Sequence, residues 1–70
     1  MTFNVFGRDV AVERKADGWL AYYLSSEGKR RRAREIVIPS DLAESEIEQY
    51  LGDLCHEWAS PKAPRVVRLS

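Results

Sequence analysis

Only one stretch of this chain repeats its apolar residues at helical spacing. Ile47, Tyr50, Leu51, Leu54 and Trp58 follow one another at steps of three and four, a single stripe along one side of a helix. One stripe predicts one helix, and one helix can cover one face of a small sheet. Leu42 and Ile47 stand where the N′ and N4 residues of a hydrophobic staple would, with the cap at position 43. Ala43 is a poor cap, so Ser40 and Ser45 compete for that role. Glu44, Glu46 and Glu48 favour the positive end of the helix dipole, and Pro61 stops the helix near Ala59 or Ser60.

The first half of the chain alternates at period two instead. Phe3 and Val5 project to one side, and Asn4 and Phe6 to the other. Gly7-Arg8 reads as a two-residue type II′ turn, after which Val10 and Val12 continue the pattern. Ala16-Asp17-Gly18 reads as a three-residue loop pairing Lys15 with Trp19, which sets Leu20, Tyr22 and Leu24 beside Val12 and Val10. A two-residue loop at Asp17-Gly18 would swap the faces. The three-residue loop is preferred because it makes one face almost wholly apolar. Ile36-Val37-Ile38 is expected as a short edge strand or an extended lead into the helix, and RVVRL as a last strand with Val67 and Leu69 on one face.

The expected fold is α+β, a single mini-domain over residues 1–70. It has a small antiparallel sheet in the order β-β-β-(β)-α-β, with the amphipathic helix packed on one face. The expected core comprises Phe3, Val5, Val10, Val12, Leu20, Tyr22 and Leu24 from the first strands and Ile36 and Ile38 from the middle. Ile47, Tyr50, Leu51, Leu54 and Trp58 come from the helix, and Val67 and Leu69 from the end. A chain of 70 residues buries only roughly 60% of its unfolded surface. Cys55 is the only cysteine, so no internal disulfide can staple this core, and a reduced cytoplasmic setting is expected. The opening MTFNVFGRD lacks the basic and apolar regions of a secretory signal, and no apolar run approaches the ~20 residues of a membrane span.

Catalytic chemistry finds little to work with. Cys55, His56 and Glu57 are adjacent, but neighbours on a helix point about 100° apart, so a thiolate would lack its base. One cysteine and one histidine cannot build a zinc finger, and Gly28-Lys29 lacks the surroundings of a phosphate loop. Gly52 inside the helix is either a tolerated loss or a point of close backbone approach. Pro61-Lys62-Ala63-Pro64 has PxxP spacing, but such matches are common by chance, and a helix stop followed by a short linker explains both prolines. No enzyme activity, metal, cofactor or small-molecule substrate is expected.

Charge is the more informative feature. The chain is neutral overall, with 11 basic and 11 acidic residues, but five cations fall within six positions of EGKRRRARE: Lys29, Arg30, Arg31, Arg32 and Arg34. Residues 39–60 carry six acids and no Lys or Arg. In the preferred register Trp19 and Tyr23 project from the face the helix leaves open, beside this run. A core position for the two aromatics is the alternative. Basic residues beside exposed aromatics suit single-stranded nucleic acid or RNA, an acidic protein partner, or a dimer. The run could instead lie along the chain's own acidic helix, or be a solvated arm that discourages edge-to-edge aggregation.

The stretches DGWLAYYLSSEGK and IVIPSDLAESEIEQYLGDLCHEWASP resemble a family of short bacterial proteins of unknown function, about the length of this chain. That family implies no activity and no site residues. The pattern V-A-V-E-x-x-x-D-G-W-x-A-Y, followed by a helix and a strand, is similar in topology to HicB-like antitoxins, which bind a small RNA-cleaving toxin. EGKRRRARE replaces the proline-and-glycine segment of those proteins, and their DNA-binding tail has no counterpart after the last strand. The functional expectation is a non-enzymatic interaction module that binds a protein partner or self-associates, with no membrane contact. Local nucleic-acid binding through Lys29–Arg34 and toxin binding of the HicB-like kind are the alternatives. The contact residues expected are Trp19, Tyr23, Lys29, Arg30, Arg31, Arg32 and Arg34.

Overall fold

A computed structural model describes residues 1–70. Five strands, β1 (Thr2–Val5), β2 (Arg8–Lys15), β3 (Gly18–Leu24), β4 (Arg30–Arg32) and β5 (Val66–Arg68), form one antiparallel sheet in the order β4-β3-β2-β1-β5. Helix α1 (Ile47–Leu54) is flanked by 3-10 turns at Glu44–Glu46 and His56–Trp58 and packs over the β1–β5 side of the sheet.

The first hairpin turns one residue earlier than its sequence suggests. Val5 pairs with Arg8, so Phe6 and Gly7 are the central residues, at φ 51° and 92°. Two positive φ values in succession are the type I′ pattern, whose twist matches the flanking strands. Asn4 holds the turn: its Oδ1 accepts from the Gly7 N–H at 2.9 Å, and its Nδ2 donates to Asp9 Oδ1 at 3.0 Å. Phe3 pairs with Val10 rather than with the Val12 that a Gly7-Arg8 turn implies, a shift of two residues that leaves the β1–β2 faces as expected.

The second hairpin differs with larger consequences. Lys15 pairs with Gly18 and Arg14 with Trp19, leaving only Ala16 and Asp17 outside the ladder. Gly18 stays in the ladder at φ 147°, a conformation other residues rarely adopt. The register is therefore one residue from the preferred one, and every β3 side chain changes face. Ala21 and the half-buried Trp19 and Tyr23 join Phe3, Val5, Val10 and Val12 on the covered face. Leu20, Tyr22 and Leu24, expected in the core, lie half-exposed on the open face.

The core has three contributors. Phe3, Val5, Val10, Val12 and Ala21 come from the sheet, Ala33, Ile36 and Ile38 from the crossover after β4, and Ile47, Leu51 and Cys55 from the helix. Full burial of Ile47 and Leu51 contributes roughly 1.5–3 kcal/mol each before entropy is counted. Of the two expectations for Ile36-Val37-Ile38, the edge strand does not form, and the segment leads from β4 toward the helix outside the sheet. It crosses the sheet in extended form, with its two isoleucines inward and Val37 69% exposed. The Tyr50 hydroxyl donates to the Val37 carbonyl and ties the crossover to α1, while Tyr50 itself stays half-buried.

The helical segment begins after Ala43, the cap position the staple indicates, but as a 3-10 turn that becomes α-helix only at Ile47. The Ala43 N–H donates to the Glu46 carboxylate at 3.0 Å, so the glutamate offsets the poor cap. Leu54 is exposed because the buried side of α1 runs through Ile47, Leu51 and Cys55 and leaves it on the flank, and Trp58 is half-buried where a 3-10 turn beyond Cys55 shifts the stripe. Val67 and Leu69 are also exposed: Val67 pairs with Asn4 on the open face.

Candidate functional site

Trp19 and Tyr23 do not form a free aromatic platform. The Trp19 Nε1–H donates to the Leu42 carbonyl at 3.1 Å, and the Arg14 guanidinium lies 4.6 Å from the centre of its ring. Tyr23 packs against Trp58 with ring centroids 6.2 Å apart, and its hydroxyl donates to the Glu35 carboxylate. Burial, then the Glu35 hydrogen bond and charge, push the Tyr23 phenol up to about 12. The same hydrogen bond holds the Glu35 carboxyl below the usual carboxylate range, with Arg31 and Arg8 assisting. Arg8 stacks over Trp58 at 4.4 Å and Arg31 over Tyr23 at 5.6 Å. The stack Arg8–Trp58–Tyr23–Arg31 closes the end of the core.

The basic run is a strand. Gly28, at φ 80°, reverses the chain within a loop closed by the Gly28 N–H to Ser25 carbonyl and Ser25 N–H to Lys29 carbonyl bonds, both 3.0 Å. Arg30, Arg31 and Arg32 then pair with Leu24, Tyr23 and Tyr22 as an edge strand, all three exposed. Arginine is a weak strand former, but its methylene stem can lie along an aromatic ring. Here the Arg30 guanidinium sits 3.9 Å from the centre of the Tyr22 ring.

Hydrogen-bond alternation decides which way the β4 backbone faces. Lys29 accepts from Ser25 at 3.0 Å, and the Ala33 N–H donates to the Ala21 carbonyl at 2.9 Å. In an antiparallel ladder the residues between such pairs point their N–H and C=O groups away from the neighbour. Arg30 and Arg32 therefore present both backbone groups outward, on an edge that no other strand covers.

The side chains divide by face. Arg30 and Arg32 belong to the open face with Tyr22 and Leu24. Arg30 reaches across it to Glu13 at 3.0 Å, and Lys15 approaches the same carboxylate at 3.5 Å. The Arg30 hydrogen bond holds the Glu13 carboxyl below its usual range. Arg31 points to the other face, where it and Arg8 border a shallow depression of about 320 Å³ over Tyr23 and Leu24. A second depression of about 640 Å³ runs from Tyr23 along Ser25, Lys29, Arg30 and Arg31, with Glu27 as its one acid.

Few of these cations are neutralised within the molecule. Its three ion pairs are Lys15–Glu13, Arg30–Glu13 and Arg68–Glu44. Of the run Lys29–Arg34, only Arg30 has a partner, and that partner is on β2. The idea that the run lies along the acidic helix is thus corrected by the topology: α1 sits over β1 and β5, while β4 is the far edge of the sheet. Lys29, Arg31, Arg32 and Arg34 have no carboxylate within 4.0 Å.

Elsewhere the structure offers less. Cys55 is buried, which raises its thiol pKa, while His56 faces solvent. No three of the His, Cys, Asp and Glu side chains converge. A groove of about 540 Å³ between α1 and β5 sets Glu44, Glu48 and Asp53 opposite Arg65 and Arg68, so its charges are mixed. No helix is long and apolar enough to cross a membrane. Sequence reasoning missed Arg8, Glu13, Tyr22 and Glu35 as members of the basic site. All four reach it by strand pairing or crossover, and Glu13 and Tyr22 become visible once the β2–β3 register is known.

No curated protein and no solved structure matches the chain significantly. The family model described as Domain of unknown function (DUF7661) matches residues 1–70, and the chain belongs to that family.

Proposed function

We propose that this chain is a non-catalytic protein-binding module that takes an anionic segment of a partner protein along the basic edge β4. The observation that carries the reading is that Arg31 and Arg32 on the exposed edge strand, and Lys29 and Arg34 beside its ends, have no carboxylate within 4.0 Å. Unpaired cations on a rim attract an opposite charge over several ångströms and raise the encounter rate. The buried single thiol suits a reduced cytoplasmic setting.

Nucleic acid offers the same charge, but the stacking side chains it needs are engaged. Trp19 and Tyr23 are packed and hydrogen-bonded, and Arg30 covers Tyr22. A titration separates the two. A fluorescent glutamate-rich peptide and a single-stranded RNA of equal length are added to the chain and to an Arg31→Glu/Arg32→Glu variant, with circular dichroism confirming both folds. We expect the peptide to bind the parent chain, to weaken as salt rises, and to lose its affinity for the variant. Binding of RNA alone, or of neither, would overturn the proposal.

A further inference from the structure

Resting on that reading, we infer that the partner's segment binds as a sixth strand, added to β4, with acidic side chains two residues apart. Two observations carry this beyond charge attraction. The first is the backbone: Arg30 and Arg32 each present an outward N–H and C=O, so an extended segment can continue the ladder without any rearrangement. The second is the division of the side chains. Residues of an added strand alternate between faces, so acids at i and i+2 meet the unpaired Arg32 and, beside it on the open face, Arg30, which Glu13 already engages at 3.0 Å. An acid between them would meet Arg31 beside Arg8 on the other face.

The same arginines account for selectivity. Two copies pairing β4 to β4 would set arginine against arginine, which disfavours the contact. A strand carrying carboxylates avoids that arginine–arginine contact and gains charge-assisted contacts, with Glu27 and Asp9 as the acids bordering the two depressions. The opposite edge is not equivalent. By the same alternation, Val66 and Arg68 of β5 face outward there, but Arg68 is paired with Glu44 and the adjoining groove mixes acids with Arg65, so this edge offers carboxylates no row of unpaired cations.

The test uses the full chain and three synthetic peptides of one composition, in which glutamate alternates with valine. One is unmodified, one is N-methylated at the odd residues, and one at the even residues. N-methylation on the edge that faces β4 removes the ladder donors, while the other edge tolerates it. We expect one methylated peptide to bind about tenfold more weakly than the unmodified one, equivalent to one or two lost hydrogen bonds, and the other to bind normally. Equal binding by all three would overturn strand addition and leave the anionic-partner reading standing. Binding by none would overturn both. Assembly of the free chain into larger species that the peptide fails to dissolve would mean that a second copy occupies β4, and would also overturn the inference.

Discussion

Tyr23 carries several jobs on one ring. It packs on Trp58, receives Arg31 over its face, and donates its hydroxyl to Glu35. The phenol titrates at about 12 in the fold against an ordinary 10.0. A group raised in the folded state contributes stability that is complete below its unfolded pKa and is lost as pH rises through the folded value. The Tyr23 contribution is therefore present at neutral pH and disappears between pH 10.0 and about 12. Tyr23→Phe should be less stable than the parent at neutral pH, and urea midpoints of the two should converge across that window. A constant difference would show that the hydroxyl has no linked role. Tyr23 also marks where residue-level reading ran out. A pattern of alternating apolar residues fixes that there are two faces, but not which one turns inward. On β3 both sets, Trp19-Ala21-Tyr23 and Leu20-Tyr22-Leu24, are apolar enough to be core. The choice fell to one residue of turn geometry at Ala16-Asp17-Gly18, where local propensity is weak.

At the scale of elements, α1 was legible and β4 was not, for opposite reasons. The helix writes its own periodicity into the sequence, and the cap at Ala43 survives, although a 3-10 turn precedes the α-helix proper. Arg30–Arg32 has no apolar alternation. Its strand geometry comes from the outer edge of β3 and the reversal at Gly28, neither of which is a property of the run itself. Ile36-Val37-Ile38 has strand composition, but its isoleucines are buried in the core and it pairs with neither edge of the sheet. Gly52 is the remaining oddity of α1. A methyl group there would sit 3.7 Å from Val66 Cγ2, an ordinary contact, so the position does not require glycine for space. Gly52→Ala should stabilise the chain by about 0.5–1 kcal/mol, seen as a rise of a few degrees in melting temperature. A fall would mean that β5 cannot accept the added methyl.

Across the whole molecule, neutral net charge conceals a separation: cations gather on the β4 edge, and acids ride on the helical segment over the β1–β5 side. The sheet that holds them apart joins strands of very different separation along the chain. β1 to β4 are linked by three short reversals, whereas β5 pairs with β1 across nearly the full length of the sequence. Loop closure makes the latter contact slow to form, so the transition state for folding should contain the hairpins and lack β5. Val66→Ala, which trims a half-buried contact worth about 1 kcal/mol, should then raise the unfolding rate roughly fivefold and leave the refolding rate nearly unchanged. A slowed refolding limb in a denaturant chevron would contradict this order. Until residues 66–68 dock, β1 is itself an edge strand, flat, apolar on one face and free of the arginines that guard β4. The pairing of β5 with β1 thus ends an interval of vulnerability: during it, a newly made chain can capture another through its unguarded side.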